Sequence, residues 1–452
     1  MIPLSLQDIA KTLGATLQGD DATITAVTTD SRQVSSGCLF VALQGERFDG
    51  HDFCPQAVAD GAAALLVSEP LALDCPQLLV ADTRYALGQL GAMVRNRLIP
   101  KVIAITGSCG KTTVKEMCAA ILGQCGPVLA TQGNLNNEIG VPLTLLRLTP
   151  EHQYAVLELG ANHPGEISWT TSLVKPDVAL INNVAAAHLE GFGSLQGVAL
   201  AKSEIFNGLD DRGMAIVNAD SEFYSHWCAD LEPNLLSFGL NNRRADFLAR
   251  DISTDASGCC SFTLVSPQGE MDVRLPIPGR HNIANALAAA AATESLGVSL
   301  TVIKRGLEAM QPVKGRLCVH HLPGITLIDD TYNASAESVL AAIDTLAAMP
   351  GYRVLVFGDM GELGLEAEAQ HRRIGEHARQ AKLDAVYTVG KLSALTSAEA
   401  GGQHFADKAA LLAALGELLL QHPAITLLAK GARSARMEEV IEFVKNIKEQ
   451  AC

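Results

Sequence analysis

Short apolar runs recur along the chain, separated by polar turns and by stretches with helical spacing. They include LFVAL (39–43), AALLV (63–67), KVIAIT (101–106), YAVLELG (154–160), DVALINNV (177–184) and GMAIVNAD (213–220). Runs of this length that alternate with helical patterns predict strands of parallel sheets covered on both faces. The segment ADTRYALGQLGAMVRNRL (81–98) reads as a helix linking a first unit, ending at about residue 82, to a second. GRHNIANALAAAAATES (279–295) reads as a helix opened by asparagines, with Gly279 marking the turn before it. From Gln311 and Pro312 the alternation starts again with ITLIDD (325–330), YRVLVFGDM (352–360), DAVYTVG (384–390) and ITLLAKG (425–431). The pattern therefore predicts an α/β chain of three units, residues 1–82, 83–311 and 312–452. The first is small, and the other two are built on mostly parallel, doubly wound sheets. In such sheets ligands sit at the carboxyl ends of the strands, so polar residues there carry most weight.

Composition changes this picture in a few ways. At 452 residues the chain exceeds one core, which agrees with about three domains. A formal net charge of −15 argues against a nucleic-acid partner, although not against a small anion in a local basic pocket. The eleven cysteines are scattered without a CxxC pair, and only Cys259 and Cys260 are adjacent. That fits neither a disulfide framework nor a zinc site, and reduced thiols in the cytoplasm are expected. The opening MIPLSLQDIAKTLG has no basic leader before an apolar run, so no signal peptide is expected. No apolar run reaches the ~18 residues of a membrane span. The expectation is a cytoplasmic protein without membrane insertion; a monomer is expected, although no obvious interaction helix stands out to reveal the oligomeric state.

The chemistry concentrates in AITGSCGKTT (104–113), which directly follows an apolar run. A standard phosphate-binding loop reads G-x-x-x-x-G-K-[ST], and here Ile105 stands where its first glycine would be. Gly107 and Gly110 still free the backbone of Ser108 and Cys109 to turn N–H groups toward an anion, and the helix from Lys111 adds its positive end. Lys111 would reach the β- and γ-phosphates, and the Thr112 hydroxyl, followed by Thr113, would complete a magnesium shell. A guanine-specific N/TKxD motif is absent, VNAD (217–220) lacking the lysine, so ATP is the expected nucleotide. Glu158 ends a buried run, where a carboxylate is costly unless paired or bound to a metal. A structural ion pair remains open for it. His188 follows the strand end that carries Asn182 and Asn183, and is read equally well as a core histidine or a ligand. Lys202 alone would read as a solvated helix lysine. TQGNLNNEIGVP (131–142), with Asn134 and Asn137, can fix a polar substrate or satisfy its own turns.

Taken together, TGSCGKTT, GNLNNEIGVP, LELGAN, HLEGFGSLQGVALAKSEIF, GRHNIANALAAAA and DDTYNASAES resemble the Mur ligases of peptidoglycan synthesis, in order and over essentially the whole chain. In that family the shortened T-G-x-x-G-K-T loop is the rule. The resemblance implies a UDP-sugar-peptide domain (1–82), a central P-loop ATPase (83–311) and a C-terminal Rossmann-like domain (312–452). It implies an ATP-dependent ligase that phosphorylates the carboxylate of UDP-N-acetylmuramoyl-tripeptide and passes the acyl group to D-alanyl-D-alanine. Thr112 and Glu158 would hold one magnesium ion and His188 a second, with Lys202 at the position of a lysine often carbamylated by CO2. Asn282, with Asn285 a turn on, would lie near the adenine; Arg316 and Asp330 would meet the nucleotide. Ser31, Arg32, Gly45 and Arg47, in TTDSRQ and GERFDGHDF, match the part that cradles the UDP-sugar. Asn333 and Ser335 are candidates for the acceptor's surroundings, and Lys430 and Arg433 for binding, although KGARS puts Ala432 where many relatives carry serine.

Two rivals predict different behaviour. A folylpolyglutamate-type or single-amino-acid ligase of the same superfamily would use another acceptor, but the N-terminal DSR…GERFDGHDF unit argues against the folate enzymes. A P-loop switch protein would hydrolyse ATP slowly and without small substrates.

Overall fold

The computed structural model describes residues 1–45, 48–186, 189–231 and 234–450, so Arg47 and His188 lie outside the described residues. Three main sheets follow one another along the chain, with a two-stranded ribbon (Leu4–Ser5 with Thr23–Ile24) at the start. The first main sheet is five-stranded. Its strands Ala26–Thr28, Cys38–Val41, Ala64–Val67 and Gln77–Leu79 are parallel, and Thr16–Gln18 closes one edge antiparallel. The helix Leu6–Leu13 beside it starts at Ser5, whose hydroxyl accepts from the Asp8 N–H, and stops at Gly14 with φ +63°.

The predicted linking helix forms at Thr83–Arg97, capped by Asp82, whose carboxylate accepts from the N–H groups of Arg84 and Tyr85. It lies in a core shared by the first two units. Ala86, Leu87 and Leu90 belong to the same apolar cluster as Leu6 and Leu39 on one side and Ala104 and Leu157 on the other.

The central unit supplies strand β1 (Lys101–Thr106), helix α1 (Lys111–Leu122), strands β2 (Tyr154–Glu158) and β3 (Val178–Ile181), helix α2 (Leu195–Ser203) and helix α3 (His281–Glu294). Strand β1 lies between β2 and β3, parallel to both, in a nine-stranded sheet. Alternation along β1 sends Val102 and Ala104 into the core of the linking helix, and Ile103 and Ile105 into a second core beneath α1 and α3. Each of these isoleucines is fully buried, a gain of about 1.5–3 kcal/mol per side chain. Because the chain leaves β1 toward β2 on one side and β3 on the other, its carboxyl end is a topological switch point. The glycine loop stands there.

Beyond Leu235–Gly239 and Phe247–Thr254 the sheet turns antiparallel through Cys259–Ser266 and Gly269–Pro278. This extension was not among the predicted strands. Its residues alternate between buried and partly exposed, a half-covered surface and not the continuous apolar run of a parallel strand.

The C-terminal sheet has six strands. It begins with Cys318–Leu322, followed by β4 (Ile325–Asp330); helix α4 (Ala336–Ala347) comes next in the chain, and β5 (Ile425–Lys430) inserts beside β4. Only the edge pair Cys318–Leu322 with β4 is antiparallel. Register pairs Asp330 with Lys430 at the carboxyl ends of β4 and β5, a second switch point. Among the described residues no helix is long and apolar enough to cross a membrane.

Candidate active site

Both switch points open into one cavity of about 1510 Å³, lined by the glycine loop, the asparagine-rich segment after residue 131 and the first turns of the C-terminal unit. The loop's shape depends on Gly110, which has φ +77°. A Cβ there would stand 2.6 Å from Asn182 Nδ2 and 2.7 Å from Asn285 Oδ1. Gly107 lies against Asn182 and Asn183 in the same way, with room for a Cβ only at 3.1 Å from Asn182 Cβ.

These asparagines form a chain of amides that fixes the loop. Asn183 accepts from the Cys109 N–H at 2.8 Å and donates to the Cys109 carbonyl at 2.9 Å. Asn182 donates to the same carbonyl and to Asn285 Oδ1, each at 2.9 Å. Asn285 donates to Asn282 Oδ1 at 2.9 Å, and Asn282 donates to the Pro278 carbonyl at 2.7 Å. Asn282 and Asn285 also line the cavity, so the helix α3 asparagines both border it and brace the loop. Ser108 is held by the Ala185 backbone, donating to its carbonyl at 3.1 Å. With its own groups tied down, the loop leaves the cavity side to Lys111 and the amino end of α1.

Lys111 Nζ rests on the Gly107 carbonyl at 2.7 Å. Thr112, one residue on, donates to Glu158 Oε2 at 2.9 Å, and Asn136 donates to Oε1 at 2.9 Å. Glu158 is 3% exposed, and among the described residues its carboxylate is held by these two neutral donors and pairs with no cation. Asn136, not singled out by the sequence, is thus the asparagine of the polar loop that reaches the carboxylate. Asn137 instead accepts from the Gly140 N–H, as an Asx turn does, while lining the cavity beside Asn134. Among the described residues no three histidine, cysteine or acidic side chains converge as a metal cage. Thr112 and Glu158 do fit magnesium, a hard cation that takes few protein oxygens and completes its shell with phosphates and water.

Lys202 is 3% exposed and faces the same cavity from α2. Burial, reinforced by the charge of Lys111, pulls its ammonium down to about 7. The solvated helix lysine of the isolated sequence is therefore a buried amine at the site.

On the C-terminal side, Lys430 donates to Asp330 Oδ2 at 2.6 Å and to the Asn333 carbonyl at 3.0 Å. Burial raises the Asp330 carboxyl and the neighbouring Lys430 charge works against that rise. Arg316 packs its guanidinium 4.3 Å from the centre of the Tyr332 ring. Ser335 touches the glycine loop directly, its Oγ 3.1 Å from Cys109 Sγ. Arg433 reaches the cavity rim and pairs with Glu438 at 3.3 Å. Ala432 is buried and uses its backbone, donating to the Asp359 carbonyl. His281, which the sequence reading passed over, lines the cavity at the start of α3, its imidazole pushed down to about 4 by burial and by Lys430. The described N-terminal candidates, Ser31, Arg32 and Gly45, are not among the residues lining this cavity. Ser31 opens a short turn, Arg32 pairs with Asp30 at 2.9 Å while 87% exposed, and the Gly45 N–H donates to the Phe48 carbonyl. Arg84 ties that region in, donating to the Gln44 carbonyl and approaching Glu138 at 3.6 Å.

The three units match three family models in the same order. Residues 23–97 match the Mur ligase family catalytic domain, 105–293 the Mur ligase middle domain, and 315–433 the Mur ligase glutamate ligase domain. The chain belongs to the Mur ligase family. The UDP-N-acetylmuramoyl-tripeptide–D-alanyl-D-alanine ligase of Escherichia coli K12 is 56% identical over 448 residues, covering 98% of this chain and 99% of that one. The enzyme of the same name from Haemophilus influenzae is 46% identical, with 99% of each covered. Among solved structures, MurF from Acinetobacter baumannii superposes with a TM-score of 0.93 at 41% identity, covering 98% of both chains. MurF ligase from Thermotoga maritima, in complex with ADP, gives 0.83 at 29% identity, with 94% of this Mur ligase and 98% of that chain covered.

Proposed function

We infer that this Mur ligase joins D-alanyl-D-alanine to UDP-N-acetylmuramoyl-tripeptide at the expense of ATP, through an acyl phosphate, in peptidoglycan precursor synthesis. The observation that carries the reading is the single cavity in which Lys111, the Thr112–Glu158 pair and buried Lys202 face the Asp330–Lys430 end of the C-terminal sheet. A carboxylate and ATP repel one another, and a carboxylate is a poor electrophile until phosphorylated. Lys111 and the amino end of α1 concentrate positive charge where the γ-phosphate must meet the peptide carboxylate. Magnesium held by Thr112 and Glu158 would neutralise phosphate charge there. Asn282 borders the adenine region, and Arg316 and Asp330 meet the nucleotide from the C-terminal side. Arginine suits phosphate through its fork of donors. Residues 1–82 hold the UDP-sugar through Ser31, Arg32, Gly45 and Arg47, residues 83–311 hold ATP, and residues 312–452 close over both. We assign Asn134, Asn137, Asn333, Ser335, Lys430 and Arg433, which line the cavity, to the peptide and the acceptor. We place the enzyme in the cytoplasm, as a monomer.

The decisive experiment measures ATP-dependent phosphate release with the UDP-tripeptide and D-alanyl-D-alanine added singly and together. Release only with both, with an amide product of the joined mass, is the expected result. Release with neither substrate would turn the reading to a switch protein, and release with a single amino acid to another step of the pathway.

Lys202 adds a pH-dependent expectation. Reaction with CO2 needs the neutral amine, R–NH2 + CO2 giving R–NH–COO⁻ and a proton. With its value near 7, Lys202 is mostly uncharged at about pH 8 and mostly protonated at about pH 6. Carbamylation would turn the amine into a carboxylate-like ligand on the same cavity as Glu158, with His188 as a further member of the set. Bicarbonate is therefore expected to stimulate CO2-depleted enzyme at about pH 8 and not at about pH 6. Lys202→Ala should lose both activity and the response. A fully active Lys202→Ala that ignores bicarbonate would end the idea.

A further inference from the structure

Beyond Glu158 the chain makes a turn, Gly160 to Glu166, that none of the roles above uses. A Cβ on Gly160 would stand 3.1 Å from the side-chain amide of Asn136, the residue that donates to Glu158. Further along, the Asn162 carbonyl is packed so closely on Gly191 that a Cβ there would collide with it. The same Cβ would lie 3.5 Å from His163 Cδ2. Gly191 belongs to the short helix Leu189–Phe192 that directly follows His188, and Glu190 of that helix lies against Gly364 of the C-terminal unit, with 3.7 Å left for a Cβ on the glycine. His163 thus sits where the metal-side turn, the segment after His188 and the C-terminal unit converge, on the wall of the main cavity.

The turn is fixed by two carboxylates. Glu166 accepts from the Asn162 N–H at 2.8 Å and bonds His163 Nδ1 at 3.0 Å. Glu204, two residues past Lys202, accepts from the Gly165 and Ser168 N–H groups at 2.7 and 3.0 Å. Glu204 therefore caps the helix Glu166–Val174 from outside and ties the turn to the Lys202 segment. With Nδ1 donating to Glu166, the neutral imidazole keeps its lone pair on Nε2, which has no partner among the described residues. The charged group that meets its ring is Glu166 on its own turn, and Glu204 is tied to the same turn through the Gly165 and Ser168 N–H groups. A carboxylate beside the ring favours an incoming cation.

The acceptor of the ligase reading, on which this step rests, arrives as an ammonium and cannot attack until it loses a proton. We propose that His163 is the base that prepares it. Nε2 takes one proton from the ammonium, and the freed amine nitrogen forms the C–N bond with the acyl carbon. The bond between that carbon and the phosphate oxygen then breaks. The second amine proton leaves with the phosphate as HPO4²⁻, and His163 returns its proton to water.

The test separates the two halves of the reaction. Hydroxylamine, uncharged at neutral pH, traps an acyl phosphate as a hydroxamate without help from a base. H163Q keeps a donor for Glu166 but cannot accept a proton, and H163A removes both functions. H163Q is expected to form hydroxamate from ATP and UDP-tripeptide at the unmodified rate. Its kcat with D-alanyl-D-alanine should fall about 10²-fold or more with KM unchanged. Loss of hydroxamate in parallel with ligation would overturn the assignment, as would a raised KM with kcat intact. Imidazole in solution should restore part of the H163A rate, and no recovery would likewise count against a base at this position. If the unmodified enzyme gave no hydroxamate at all, the ligase reading would fall first, and this step with it.

Discussion

Lys111→Met is expected to lower ATP-dependent phosphate release by about 10²–10³-fold while leaving thermal stability unchanged. The two halves of that result have separate origins. The ammonium rests on the Gly107 carbonyl and is partly exposed to the cavity, so its loss empties no core and strands no buried partner. The loop itself is held by the asparagine amides, none of which involves Lys111. What disappears is a positive charge that meets the transferring phosphate inside a cavity, where it counts for more than on an open surface. Phosphate release and a melting curve on the same preparation check both halves. A rate within a few fold of the unmodified enzyme would remove Lys111 from the transfer. A large fall in melting temperature would show instead that it props the loop.

The contrast between Lys111 and the asparagines also shows where the sequence was legible. A lysine between a glycine loop and a helix has a chemistry readable from order alone, because strand, loop and helix are contiguous. So do the apolar runs at 101–106, 154–160, 177–184 and 325–330, which all became buried strands. Asn182, Asn285 and Cys109 are far apart in the chain, and their bond network exists only because β1, β3 and α3 converge. The same holds for Glu204, whose role is set by a helix start 38 residues earlier in the chain, at Glu166. In the polar loop, composition marked a segment that reaches Glu158 but could not choose among its asparagines. Asn136 reaches Glu158 while Asn137 turns back on its own backbone, a difference of which way each Cα faces. Lys202 was the sharpest case. Its helix looks amphipathic only weakly, and nothing local says that its face turns toward the cavity.

The second large effect concerns the C-terminal side of the cavity. Lys430→Met is expected to destabilise the C-terminal sheet by about 3–5 kcal/mol, because it leaves the carboxylate of Asp330 buried without its partner. Lys430 is 2% exposed and Asp330 8%, and the replacement fills the lysine stem's volume, so the loss is one of charge and not of packing. Direction with pH follows from the same burial. In the folded protein the Asp330 carboxyl is raised above its ordinary 3.8, and removing the lysine raises it further. Between the unfolded and folded values the native state holds a proton that the unfolded chain has released, so stability falls as pH rises through that window. The variant should therefore stand near the unmodified protein at about pH 4 and show its full deficit at about pH 8. Hydrogen exchange across β4 and β5 is the proper measure, since a chain of three units need not unfold in one step. Asp330→Asn in the same background should recover much of the loss by removing the orphaned charge, and a double-mutant cycle would give the coupling directly. A deficit that is flat with pH would mean that Lys430 acts through the Asn333 carbonyl, its other partner at 3.0 Å, and that the turn carrying Asn333 and Ser335 to the glycine loop is what it holds in place.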